Sequence, residues 1–176
     1  MKYCYSMIRS EGRGFGLMGQ LLFDLKELSY YGVVFLERHR NHYKECVVED
    51  FYEMFKEHIT YSFLTDYSYK GGQWNSGAFV FLMNEEMQKV LVELSENSLF
   101  FRDERGQITS PFWDLCLFRK DGTLLLGTVS HELEADLYLT EEERDRLNVD
   151  IEFRKEKLEY ETAELARFTI PLYDEK

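Results

Sequence analysis

Pro111–Ser130 reads PFWDLCLFRKDGTLLLGTVS. Two apolar runs, PFWDLCLFR and TLLLGTVS, flank Lys120-Asp121-Gly122. Asp-Gly supplies the positive φ angles that a tight hairpin turn requires, so the stretch reads as two antiparallel strands. This is the clearest hairpin in the chain, and it sets the fold class.

The region around it has the same texture. SLFFRDERGQIT, from Ser98, fits strand, turn and strand, and ADLYLT, from Ala135, adds a further strand. Thr140 and Glu143 have capping-box spacing and open a short helix, TEEERDRL. Beyond Asn148 the pattern allows two readings: VDIEF and ARFTI alternate like strands, and KEKLEYETAEL has the character of a helix. Upstream, KYCYSMI (2–8) reads as a short strand. Leu17, Leu21, Leu22, Leu25 and Leu28 recur at helical spacing, with Gly32 as the helix end. Val33–Leu36 reads as a buried strand, Val47–Ile59 as an amphipathic helix, Thr65–Gly77 as a loop and Ala78–Met83 as a buried strand. Asn84 caps a helix with an acidic first turn. Together these elements predict one α+β domain spanning 1–176, with helices mainly in the N-terminal half and an antiparallel sheet containing the 112–130 hairpin.

The 176 residues suffice for a core without staples, and 14 Phe with 12 Tyr argue against disorder. The polar start KYCYSMIRSEG is no signal-peptide core, and no apolar run has membrane-spanning length. Three cysteines, Cys4, Cys46 and Cys116, cannot all pair within one chain and none lies in a C-x-x-C spacing. A reduced, cytoplasmic setting is expected.

Charge is the most informative bulk property. The net charge is −12, and the acid is concentrated late in the sequence. Residues 1–45 carry seven basic and five acidic side chains, whereas 132–176 carry fifteen acidic and seven basic. Such a surface repels phosphate backbones, so no nucleic-acid partner is expected. A basic protein is the natural complement. Acid that merely keeps a domain soluble is the competing explanation.

Gly14-Phe15-Gly16-Leu17-Met18-Gly19 reads G-x-G-x-x-G, with Glu37 eighteen residues past Gly19. In a dinucleotide fold those glycines would form the phosphate turn and Glu37 would meet the ribose. Against this, KYCYSMI is polar at alternate places, Arg9, Ser10, Glu11 and Arg13 separate it from the first motif glycine, and no β-α-β repeats follow. No cofactor is expected, and nucleotide binding ranks third among the functions considered. His39, His42, Glu45 and Cys46 have metal-ligand chemistry, but Arg38, Arg40 and Lys44 interleave and oppose a cation. No metal site is expected.

His131-Glu132-x-Glu134-x-Asp136 is the other polar cluster, and strand alternation would set its three carboxylates on one face. It supports either recognition of a cationic partner or, as the alternative, a hydrolase-type enzyme using His131 with the carboxylates. No nucleophile accompanies it, and Ala135 stands where H-E-x-x-H would need its second histidine. Tyr67, Tyr69 and Trp74 bracket Gly71-Gly72 and offer large contact area at small rotamer cost. The leading expectation is therefore a non-catalytic domain that binds a basic protein through Tyr67, Tyr69, Trp74, His131, Glu132, Glu134 and Asp136. Bacterial immunity proteins that block basic nuclease toxins offer an analogy of charge and size. Oligomeric state is left open.

Overall fold

The computed structural model describes residues 3–7, 18–37, 56–67, 73–95, 99–100, 112–130, 132–148 and 153–157. Along the chain these form β1 (Tyr3–Met7), α1 (Met18–Leu25), β2 (Tyr31–Glu37), β3 (Ile59–Tyr67), β4 (Gln73–Leu82), α2 (Glu85–Leu94), β5 (Phe112–Phe118), β6 (Leu124–Val129), β7 (Glu134–Leu139), α3 (Glu141–Asp145) and β8 (Phe153–Lys157). The eight strands join in one sheet, in the order β3-β4-β2-β5-β6-β7-β1-β8. Every neighbouring pair is antiparallel. The fold is mixed α+β.

Helix α1 forms because Met18, Leu21, Leu22 and Leu25 fall on one stripe, and all four are buried. Asn84 starts α2 by accepting a hydrogen bond from the Met87 amide at 2.8 Å. Met87 and Leu91 of α2 meet the α1 stripe over one face of the sheet, in a first core cluster that includes Val34, Phe81, Leu115, Leu117, Leu126, Leu137 and Leu139. The second face carries its own cluster, centred on Val33, Phe35, Val80, Cys116, Phe118 and Val129. No helical side chain among the described residues belongs to that second cluster. The central strands are thus buried on both faces, which is why LLLGTV is a continuous apolar run and does not alternate.

The strand registers define two ends of the sheet. At one, the Gly122 end, Tyr31 pairs with Leu82 and Phe118, and Tyr3 pairs with Leu139 and Lys157. The β5–β6 connection closes this end with Gly122 at φ 79°. Asp121 steadies it by accepting from the Thr123 amide at 3.0 Å and hydroxyl at 2.7 Å. At the other, the Glu132 end, Tyr67 pairs with Gln73, Glu37 with Ser76, and Val129 with Glu134.

Several expectations are corrected. Gly32 does not end α1. It lies inside β2 opposite Phe81, and a Cβ there would fall 2.5 Å from Phe81 Cζ and 2.9 Å from Met83 Sδ. The ring lies where a side chain would be, so the position requires glycine for close approach. Thr65–Gly77 is not all loop: β3 runs to Tyr67 and β4 restarts at Gln73. Leu99 and Phe100 form a turn and not a strand, and both are buried in the first cluster. Lys155–Lys157 continues β8 and is not helical. Among the described residues the helices are α1, α2 and α3, and β1 to β4 supply half of the strands of the sheet. Ile59, expected to end a helix, opens β3. The rest of that expected helix, from Val47, lies mostly outside the described residues, as do residues 101–111.

The strand after α1 is not a parallel neighbour of β1. Strands β5, β6 and β7 separate β1 from β2. A dinucleotide fold needs consecutive parallel strands on either side of its first helix. Gly14 and Gly16 lie outside the described residues, and Gly19 is in α1. Likewise His39, His42 and Cys46 lie outside them. Among the described residues no helix is long and apolar enough to cross a membrane.

Candidate functional site

The best-defined polar structure is the β6–β7 turn at the Glu132 end. Strand β5 bulges between its pairings with Val33 and Phe35, and Asp114 at the bulge has φ 55°. Asp tolerates this left-handed conformation better than most residues, because its short polar side chain can bond locally. Here it bonds across to Ser130. The Asp114 amide donates to Ser130 Oγ at 3.0 Å, and the Ser130 amide donates to Asp114 Oδ1 at 2.7 Å. Both residues are buried, at 5 % and 1 % exposure. Thr128 Oγ1 donates to the Leu115 carbonyl at 3.0 Å, adding another side-chain tie between the same strands.

From Ser130 the chain reverses tightly. The Glu132 amide donates to the Val129 carbonyl at 3.2 Å, and the Leu133 amide to the Ser130 carbonyl at 3.4 Å. Leu133 takes φ 58° to complete the reversal. Glu132 is exposed in this turn, and Glu134 is half-buried at the start of β7. Asp136 is different. It is only 2 % exposed, in register with Gly127 on one side and Ser6 on the other. The expected single face of three carboxylates is therefore not formed: Glu132 precedes the strand, and Asp136 lies within the sheet. Asp136 cannot be a rim carboxylate in this conformation. His131 lies outside the described residues. Among them, no group of three His, Cys, Asp or Glu is placed to hold a metal ion.

Strand β4 carries Trp74 and β3 carries Tyr67, whose backbone pairs with Gln73 across the hairpin. Tyr69 and the side chains of Tyr67 and Trp74 lie outside the described residues. The backbone of Tyr67 in β3 and of Trp74 in β4 nevertheless shares the Glu132 end with the β6–β7 turn. Strand β4 is four spacings from β7, or ~19 Å at the usual inter-strand distance.

Three acids of α3, at the Gly122 end, are paired with bases. Glu141 pairs with Lys155, and Glu142 with Arg146. The Glu141 carboxylate holds Lys155 above the usual lysine range. Glu143 pairs with Arg119 at 3.3 Å while accepting from the Thr140 amide at 2.7 Å in the capping box. Arg119 also donates to the Leu124 and Tyr138 carbonyls, at 3.1 and 2.8 Å. These acids serve the fold.

The second cluster holds two thiols, Cys4 and the fully buried Cys116. Burial pushes Cys116 well above the usual thiol range, the Asp114 charge adds to this, and a hydrogen bond involving Thr128 opposes it. The sign follows from linkage. The native state keeps the proton more tightly, so this contribution is present below the ordinary thiol value and is lost as pH rises through the folded one. Maleimide at pH 8 is expected to leave Cys116 unmodified until denaturant is added. Rapid native-state labelling, located by peptide mass, would contradict the burial.

No family model matches the chain, and no curated protein or solved structure matches it significantly. Sequence reasoning missed Asp114 and Ser130. Asp114 is the polar residue in FWDLCLF, and its bulge has no local signature because it depends on the pairing of β5 with β2.

Proposed function

We propose that this protein is a non-catalytic domain that binds a basic protein partner at the Glu132 end of its sheet. The observation that carries the reading is convergence: the β6–β7 turn and the β3–β4 hairpin belong to the same end of one sheet. An interface of standard size buries about 800 Å² per partner, a patch ~32 Å across if roughly circular. A lateral separation of ~19 Å fits inside it. Tyr67, Tyr69 and Trp74 then supply apolar anchors, and His131, Glu132 and Glu134 a polar rim. Asp136 acts inside the sheet and not at the contact.

Net charge supports the choice of partner. At −12 the protein attracts cationic surfaces over distances comparable to the Debye length. A neutralising or chaperoning role towards that partner fits the same physics. The hydrolase-type alternative is weakened by the burial of Asp136 away from Glu132. Affinity capture from the native source, followed by association kinetics with the captured protein, tests the proposal. Trp74→Ala should accelerate dissociation, with a hot-spot cost on the order of 2 kcal/mol. Unchanged dissociation would remove Trp74 from the contact.

A further inference from the structure

We infer that Asp114 is a positioning residue for the β6–β7 turn: its carboxylate fixes the Ser130 backbone and so sets how the chain presents Glu132. The importance of that presentation rests on reading the turn as a contact surface. The last β5–β6 ladder pair towards this end is Cys116 with Gly127. Beyond it, side-chain bonds tie the strands together. Thr128 Oγ1 reaches the Leu115 carbonyl, Ser130 Oγ accepts from the Asp114 amide, and Asp114 Oδ1 accepts from the Ser130 amide.

On the β7 side the end of β6 is held by the backbone ladder through Val129 and Glu134. On the β5 side the ties are made by side chains, so that side depends on the identity of Asp114. The carboxylate bond is the shortest of the three, at 2.7 Å, and is charge-assisted in a buried setting. It acts on the residue from which the turn departs. Glu132 follows two positions later, and its amide bonds back to Val129 beside the clasp. Displacing the Ser130 backbone therefore displaces the turn as a unit.

Two substitutions separate positioning from charge and from backbone strain. Asp114→Asn and Asp114→Gly both remove the negative charge, and both residues tolerate φ 55°. Asn keeps an oxygen acceptor for the Ser130 amide, and Gly does not. Amide hydrogen exchange on the full chain reads the difference. In Asp114→Gly, exchange at Ser130, Glu132 and Leu133 should accelerate roughly tenfold to a hundredfold relative to Val33 and Leu126. Asp114→Asn should stay within about threefold of wild type. Equal behaviour of the two variants, or acceleration spread evenly over all strands, overturns the positioning role.

A second measurement uses a 15-residue Lys/Arg-rich peptide as the cationic probe. Asp114→Gly should weaken its binding several-fold more than Asp114→Asn, although the two variants carry the same charge. Equal weakening overturns the coupling between clasp and contact. If wild type does not bind the peptide while the exchange contrast persists, the clasp stands and the contact reading fails.

Discussion

Gly32→Val is expected to destabilise the fold by about 3 kcal/mol or more, the upper part of the range for overpacked cores. The reason is geometric. Even a single Cβ meets Phe81 Cζ at 2.5 Å and Met83 Sδ at 2.9 Å, and valine adds two further methyl groups. Phe81 is fully buried among the residues that join the sheet to α1 and α2, so its ring cannot move aside without disturbing that cluster. Urea denaturation should give a lower midpoint at unchanged slope. A companion variant checks the cause. Phe81→Leu costs stability by itself, but added to Gly32→Ala it should cost less than the sum of the two single changes, because the clash is relieved. Additive costs would mean that the ring is not the obstacle.

Arg119→Met is expected to cost about 3 kcal/mol, lowering Tm by roughly 6–12 °C for a domain of this size. Methionine keeps the aliphatic stem and removes the guanidinium. Three partners then lose their donor: the Leu124 carbonyl, the Tyr138 carbonyl and the Glu143 carboxylate. These partners belong to the β5–β6 hairpin, to β7 and to the capping box of α3. Arg119 thus joins three elements that are separate in sequence. It is largely buried, at 13 % side-chain exposure, and the Glu143 carboxylate is left in a half-buried place without its cation. Glu143→Gln retains the capping geometry and should cost distinctly less. A Tm for Arg119→Met within 2 °C of wild type, on the scale of an exposed pair, would show that solvent replaces the clamp.

Local signals were the ones legible in the sequence. The Asp121-Gly122 turn, the Thr140/Glu143 capping box and the Asn84 cap each depend on a few adjacent residues, and each is formed. The α1 and α2 stripes were readable because helical periodicity is also local. Partnerships between distant segments were not readable. Gly32 resembled a helix stop, yet its role is set by the Phe81 ring across the ladder. Asp114 looked like a polar interruption in a regular strand, while the bulge arises from pairing with β2. Asp136 looked solvent-facing by alternation, since nothing in ELEADLYL reveals that the second face of β7 is also buried. Polar Thr65, Asn75 and Ser76 widened the expected loop, although these residues lie in β3 and β4.

The central claim is that a basic partner is met at the Glu132 end. Its most direct test is the association rate of the captured partner with Glu132→Gln/Glu134→Gln, measured at low and high salt. Glu142→Gln at the Gly122 end is the charge control, because Glu142 is exposed and pairs with Arg146 there. The account predicts that the double variant slows association at low salt more than twice as much as the single control does, with little change in dissociation. At high salt the difference should shrink, because screening removes steering by rim charges. Association that is insensitive to salt, or that slows equally per charge at both ends of the sheet, would contradict a contact at the Glu132 end.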